Sequence, residues 1–138
     1  MPDFREMKTD DHEKCTHLWN QTEGMGFLEN DTIESVSFYL ERNPGMSFVC
    51  YDEEKLVGTI LGGHDGRRGY IYHLAVDRNY RGKSIGKTLL NFTLEKLKLT
   101  GLKRCIIMLK SDNKANAKFW TDNGYTARED LNMYSIDF

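Results

Sequence analysis

The sequence predicts an α/β fold: a mixed, mostly antiparallel central sheet of six to seven strands with about four helices. Three observations carry this prediction. From Ser47 the apolar spacing changes from helical to alternating, and three β-branched or aromatic runs follow with turn residues between them. A basic, glycine-containing turn, Arg81-Gly82-Lys83-Ser84-Ile85-Gly86-Lys87, then separates the last of these runs from a long amphipathic helix. Beyond that helix a further apolar run, Cys105 to Leu109, reads as a strand parallel to the one ending at Val76, because a whole helix lies between them.

Each element has a local reason. Phe4 to Met7 is short and suits a first strand; Asp10 and Glu13 then have capping-box spacing for a helix that places Cys15, Leu18 and Trp19 on one face. Gly24-Met25-Gly26-Phe27 is expected to be a mobile connection, and Asp31 with Glu34 repeats the capping spacing ahead of Ile33, Val36, Ser37 and Leu40. Asn43-Pro44-Gly45 ends this second helix. Ser47 to Tyr51, Leu56 to Gly62 and Tyr70 to Val76 form an antiparallel meander, separated by Asp52-Glu53-Glu54-Lys55 and Asp65-Gly66-Arg67-Arg68-Gly69. The third helix runs from about Ser84 to Thr100 with Ile85, Leu89, Leu90, Leu94 and Leu97 on its buried face and Gly101 as its stop. A short helix around Ala115 to Thr121 closes at Asn123-Gly124, and Tyr125 to Phe138 has room for a hairpin. No linker, repeat or low-complexity tract marks a second domain, so residues 1–138 are expected to form one.

Composition narrows the functional class. Nineteen basic and 21 acidic residues give a formal net charge of −2, which argues against a dedicated nucleic-acid binder. The three cysteines, Cys15, Cys50 and Cys105, are far apart, form no CxxC pair and have no histidine at zinc spacing, so core thiols and no metal are expected. The amino terminus is charged from the start and no apolar run reaches the roughly 20 residues of a membrane span. A reducing, cytoplasmic setting without a signal peptide or membrane anchor is the expectation.

The turn from Arg81 to Lys87 is where an anion would sit. Gly82 and Gly86 let the backbone bend and keep side chains clear of a ligand, while the following helix directs its unpaired N–H groups to the same place. Those donors, the positive end of the helix dipole and the charges of Arg81, Lys83 and Lys87 suit a phosphate. Read alone, the turn is equally an ordinary strand-to-helix connection with exposed basic residues. It lacks the GxxxxGK[ST] spacing of a P-loop, and no matching magnesium-binding carboxylate is evident.

The order of elements, together with two motifs, resembles the GNAT N-acetyltransferase superfamily over nearly the whole chain. The fourth strand of that family ends in an apolar run such as Leu74-Ala75-Val76, and is followed by a (Gln/Arg)-x-x-Gly-x-(Gly/Ala) loop, here Arg81-Gly82-Lys83-Ser84-Ile85-Gly86. A second pattern, Asn-x-x-Ala-x-x-Phe-Tyr-x-x-x-Gly-Phe, corresponds to Asn113 through Phe119-Trp120 to Gly124-Tyr125. Three positions depart from the family: Ser84 stands at the middle glycine, Asn116 at a small apolar residue, and Trp120 at the tyrosine that many members use as general acid. The resemblance implies a sheet splayed between the fourth and fifth strands, acetyl-CoA as acetyl donor without a metal, and direct attack by an amine with no acyl-enzyme. It places the cosubstrate on Leu74, Ala75, Val76, Arg81, Gly82, Lys83, Ser84, Ile85, Gly86, Lys87, Asn113 and Trp120, with the Leu74 amide polarising the acetyl carbonyl and Val76 pairing with the pantetheine arm. A homodimer is compatible with the family.

The acceptor is expected to be a primary amine of a small molecule or a peptide. Such an amine is mostly protonated near neutral pH, with a pKa of about 10.4 for a lysine-like group, so a base or an ordered water has work to do. The resemblance points to Tyr70 and Tyr72, which strand alternation puts on one face with His73 on the other; ordinary strand aromatics would look the same. Glu23, Glu29, Asp31 and Glu34 surround the first two helices and suit a cation, although capping already accounts for two of them. His64 and Asp65 lie at a hairpin rim, Arg67 and Arg68 at its tip, His12 and His17 on an exposed helix face, and Tyr134 in the last hairpin offers a substitute acid without supporting geometry. The alternative to an enzyme is an acyl-CoA-binding sensor that has lost turnover, for which Trp120 and Ser84 are the motive.

Overall fold

The computed structural model describes residues 2–25 and 31–138. Gly26, Phe27 and Glu29 lie outside the described residues. Met1–Met108 and Leu109–Phe138 form two compact units.

The first unit holds strands β1 (Pro2–Glu6), β2 (Phe48–Asp52), β3 (Lys55–His64), β4 (Gly69–Val76) and β5 (Cys105–Ile107), with helices α1 (His12–Asn20), α2 (Ile33–Arg42) and α3 (Ile85–Leu99). They make one five-stranded sheet in the order β1-β2-β3-β4-β5. Neighbouring strands are antiparallel from β1 to β4, and β5 runs parallel to β4. The expected meander and crossover are both present.

Helices cover the two faces of this sheet. Cys15, Leu18 and Trp19 of α1 and Val36 of α2 join Val49, Leu61 and Ala75 in one apolar cluster, with Tyr39, Tyr51 and Tyr72 packed against it. On the opposite face α3 lies over β3, buried through Ile85, Leu89, Leu90, Thr93 and Leu97. Thr93 was not on the expected apolar face; its hydroxyl donates to the Met46 carbonyl at 2.9 Å, which allows a polar residue there. Because β3 is covered on both sides, its side chains must be small where helices approach closely. A Cβ on Gly62 would lie 2.5 Å from the Met46 carbonyl oxygen and from Thr93, and one on Gly63 would lie 2.5 Å from the Tyr39 hydroxyl.

The helix starts differ from the sequence expectation. Asp11, not Asp10, accepts the Lys8 amide at 2.8 Å ahead of α1, and Thr32, not Asp31, caps α2 by accepting the Ser35 amide at 3.1 Å. The cap of α2 is thus one residue later, so Asp31 is free for a tertiary contact, whereas α1 starts without a side-chain cap because the Asp11 carboxylate is turned back toward Lys8. Asp11 is a hub between β1, β2 and α1: the Arg5 guanidinium bridges its two oxygens at 2.7 and 3.0 Å, and the Tyr51 hydroxyl donates at 2.7 Å.

The second unit contains α4 (Lys114–Asp122), capped by the Asn113 side chain, which accepts the Asn116 amide at 3.3 Å. Trp120 is buried there between Phe119 and Tyr125, with ring centroids 5.2 and 4.9 Å away. The expected terminal hairpin is not formed. Residues 125–138 carry no strand, and Leu131, Met133, Tyr134 and Ile136 are exposed. Among the described residues the strand count is therefore five rather than six to seven. Turn propensity and alternation do not make a strand without a ladder partner.

Among the described residues no helix is long and apolar enough to cross a membrane. Nor do three or more His, Cys, Asp or Glu side chains gather as metal ligands among them. The thiols of Cys15 and Cys50 are buried and unpaired, and burial pushes them up to about 12 and about 11. Cys105 is half-buried rather than buried.

The Asp11 hub gives a signed prediction. Burial alone would raise the Asp11 carboxyl, but the hydrogen bonds from Arg5, Lys8 and Tyr51 outweigh it and hold the group below its ordinary range. A folded-state value below the unfolded one contributes stability that is complete above about pH 4 and disappears as the pH falls through the lowered value. Asp11→Asn should cost about 2–3 kcal/mol at pH 7, because it weakens charge-assisted bonds to a half-exposed arginine, and should lower Tm by roughly 10 °C. Urea denaturation at pH 7 and pH 3 checks this: the gap between wild type and variant should narrow at the lower pH.

Candidate active site

The site is built on the second half of β4. The β4–β5 ladder pairs Gly69 with Cys105, Tyr70 with Ile106 and Ile71 with Ile107, and stops there. The strand continues to Val76 beside β3 alone. The splay expected between the fourth and fifth strands is therefore present.

The same stretch carries a bulge. On β3 the register passes from Thr59 opposite Ala75 to Leu61 opposite Tyr72, so His73 and Leu74 together face a single residue. His73 takes a left-handed backbone with φ 49°, a conformation uncommon outside glycine. This overturns the expected alternation. Instead of facing away from Tyr72, the His73 ring packs on Trp19 of α1, with centroids 4.7 Å apart, while Tyr72 packs on Tyr39 of α2 at 6.1 Å. Both helices cover the same face of the sheet. Period-two reasoning fails here because the bulge inserts one residue.

His73 also meets Asp31, its Nε2 lying 2.5 Å from the carboxylate. Both side chains are largely buried. The Asp31 carbonyl in turn contacts His12 Nε2 at 2.7 Å, so His12 is partly covered rather than on a free helix face; His17 is exposed as expected.

The turn after β4 is stiff at its start and open at its end. The Asp77 side chain accepts the Asn79 amide at 2.9 Å, and the Tyr80 hydroxyl donates to Asp52 at 2.7 Å. From Arg81 to Ser84 the chain is exposed. Gly82 has φ 78° and Ser84 has φ 64°, both left-handed. Gly86, by contrast, is the second residue of α3, so the tight bending falls on Gly82 and Ser84. Ser84 precedes α3 without capping it through its side chain, and the first ladder bond runs from the Thr88 amide to the Ser84 carbonyl at 3.0 Å. The amides of Ile85, Gly86 and Lys87 thus stand at an uncapped helix start.

The charged residues of this turn are near that start in sequence and partly engaged. Arg81 Nε donates to the Val76 carbonyl at 3.2 Å, and the Lys83 ammonium sits 5.2 Å from the Tyr80 ring centre. Lys87 is exposed. The side chains of Ala75 and Ile85 are buried in the two core faces, so only their backbones are offered to a ligand. Asn113 and Trp120 belong to the second unit, where they cap and fill α4 as described.

Among the acceptor candidates, Tyr70 and Tyr72 stack with centroids 6.3 Å apart and planes 9° apart. Burial, with Tyr70 adding to it, pushes the Tyr72 hydroxyl above its ordinary range, so it stays protonated at neutral pH. Glu23 pairs with Arg78 at the surface and Asp31 with His73, which leaves Glu34 as the free carboxylate of the cluster among the described residues. Asp65 accepts the amides of Arg67 and Arg68 at 2.8 and 2.9 Å, and His64 Nδ1 accepts the Gly66 amide at 3.0 Å. Those two residues build the hairpin tip. Tyr134 is exposed in the second unit, without the hairpin that was to carry it.

Ser84 sets a test of the turn itself. A left-handed conformation costs a non-glycine residue about 1–2 kcal/mol, and glycine recovers part of that after its larger loss of backbone freedom. Ser84→Gly should therefore stabilise the protein by about 0.5–1 kcal/mol, and Ser84→Val should destabilise it. Thermal melts of the two variants measure the difference.

Residues 4–125 match the family model described as "Acetyltransferase (GNAT) family". An acetyltransferase of Sodalis glossinidius (strain morsitans) is 31% identical over 113 residues, covering 82% of this chain and 79% of its own. Among solved structures, a PaiA N-acetyltransferase from Thermoplasma acidophilum in complex with coenzyme A superposes with a TM-score of 0.79 at 17% identity, covering 94% of this chain and 92% of its own. AAC(6')-Iy in complex with a bisubstrate analogue superposes with a TM-score of 0.77 at 14% identity, covering 100% and 99%. At such identities the two structures speak for the fold, while the family model spans most of the sequence and the Sodalis glossinidius relative adds curated support. This chain belongs to the GNAT family of acetyltransferases.

Proposed function

We propose that residues 1–138 form one N-acetyltransferase domain that transfers the acetyl group of acetyl-CoA directly to a primary amine of a small molecule or peptide. The observation that carries this reading is the uncapped start of α3, with a basic turn ahead of it, immediately following a strand that has left its parallel partner. The residues fit the cosubstrate. Amides of Ile85, Gly86 and Lys87, with the side chains of Arg81, Lys83 and Lys87, supply donors and positive charge for a pyrophosphate, and Gly82 leaves open space where a Cβ would stand.

On this reading Arg81 has two positions. In the present one it satisfies the Val76 carbonyl; on turning to a phosphate it releases that carbonyl for the pantetheine arm. The Leu74 amide, in the bulge, polarises the thioester carbonyl. Fixed backbone donors need little reorganisation during reaction, and in acyl transfer the loss of one costs on the order of 3 kcal/mol. Tyr72, kept protonated, orders a water beside Tyr70 rather than taking the amine's proton itself. An indole N–H is not an acid at neutral pH, so Trp120 leaves protonation of the departing thiolate to water.

Two measurements test the proposal. Acetyl-CoA should raise Tm and give a binding isotherm, and Gly86→Trp should abolish both effects while leaving the fold intact by circular dichroism. A thiol-release screen against polyamines, amino acids, aminoglycosides and peptides should find turnover, and Tyr72→Phe should lower kcat on the amine it identifies. Binding without turnover on any of these amines would favour the sensor, and absence of binding would refute both readings.

A further inference from the structure

A hydrogen-bond chain that starts in the core ends at the peptide unit that carries the Leu74 amide. Trp19 Nε1 donates to Thr59 Oγ1 at 2.8 Å, and Thr59 Oγ1 donates to the His73 carbonyl at 2.8 Å. Both Trp19 and Thr59 are 0% exposed. The direction of the second bond follows from the first. An indole N–H only donates, so it occupies a lone pair of the threonine hydroxyl and leaves the hydroxyl's single hydrogen for the carbonyl.

The carbonyl of His73 and the amide of Leu74 belong to one planar, trans peptide group, with no cis bond among the described residues. In such a group C=O and N–H point in opposite directions. Drawing the carbonyl toward Thr59 on β3 therefore turns the Leu74 N–H away from β3, to the side where β5 has ceased to pair. The imidazole of the same residue is held independently, by the Trp19 ring and by the Asp31 carboxylate at 2.5 Å. Two constraints from different elements thus hold a left-handed backbone that histidine does not favour.

We propose that Thr59 is a positioning residue for acetyl transfer: the Trp19–Thr59–His73 chain, completed by Asp31, aims the Leu74 amide at the thioester carbonyl. The inference rests on the acetyl-CoA reading above. It assigns a role to four residues that touch neither cosubstrate nor acceptor on that reading, and it explains why a threonine occupies a fully buried position on a central strand.

The test needs no knowledge of the acceptor amine. Acetyl-CoA isotope-labelled at the thioester carbonyl is bound to the protein, and the carbonyl stretch is compared with that of the free compound by difference infrared spectroscopy. Wild type should show a shift to lower frequency. Thr59→Val, which keeps the shape and removes the hydroxyl, should lose at least about half of that shift while affinity for coenzyme A stays within about twofold, and Thr59→Ser should restore it. Should Thr59→Val leave an unsatisfied indole that prevents folding, Asp31→Asn at the near-surface end of the chain should produce a smaller loss in the same direction. A full shift in Thr59→Val, or in Asp31→Asn where Thr59→Val does not fold, would overturn the proposal while the acetyl-CoA reading stands. A thioester that binds wild type without any shift would overturn this proposal and the polarising role of the Leu74 amide while acetyl-CoA binding stands, and one that does not bind would overturn the acetyl-CoA reading as well.

Discussion

The first unit is organised by a conflict within β4. Its first three residues are ladder-paired on both sides, between β3 and β5, whereas its second half pairs with β3 alone. A strand edge with unpaired backbone groups is a liability in a folded protein, and natural sheets cover it or make it irregular. Here the edge is made irregular by the bulge at His73 and Leu74 and is followed by a basic turn. The proposed carbonyl and phosphate contacts are backbone groups that the sheet and helix have left without regular partners. On the proposed reading the cosubstrate completes hydrogen bonding that the fold leaves open.

Holding such an edge still requires rigidity behind it. That rigidity comes from β3, whose residues from Leu56 to Gly63 are all buried. Glycines at 62 and 63 let α3 and α2 approach the strand from opposite faces. Thr59 on β3 and Thr93 on α3 are buried polar residues, each hydrogen-bonded to a backbone carbonyl. Buried hydroxyls paired in this way cost little and fix geometry that apolar contacts alone leave adjustable. The tie from Asp31 to His73 adds the segment leading into α2, and the Asp11 hub fastens α1 to β1 and β2.

Ser84 and Trp120 depart from the motifs of the family in different ways. Ser84 adopts the left-handed backbone that a glycine would take, so the turn keeps its shape with local strain and its helix stays uncapped. Trp120 has become part of the packing of α4 with Phe119 and Tyr125. On the proposed reading the first change bears on binding through the backbone, and the second leaves no tyrosine at that position to serve as an acid. Their consequences are separable, which is why cosubstrate binding and turnover are distinct questions for this protein.

By itself the sequence determined what depends on local pattern: the meander from alternation, the limits of α3 from its apolar face and from Gly101, and a basic, glycine-containing turn directly ahead of that helix. Motif order was also legible, because it survives substitution at Ser84 and Trp120. Tertiary structure decided what depends on partners. The terminal hairpin was expected from propensity and did not form, since a strand exists only through its ladder. The cap of α2 moved from Asp31 to Thr32, and the expected cap of α1 was not made, because several acidic and hydroxyl side chains compete for the same amides and tertiary partners, and packing selects among them. Above all, a bulge is a mismatch between two strands and leaves no mark in the period of either. That mismatch put His73 beside Tyr72, brought Asp31 to it across 42 residues, and connected Thr59 to the peptide of Leu74.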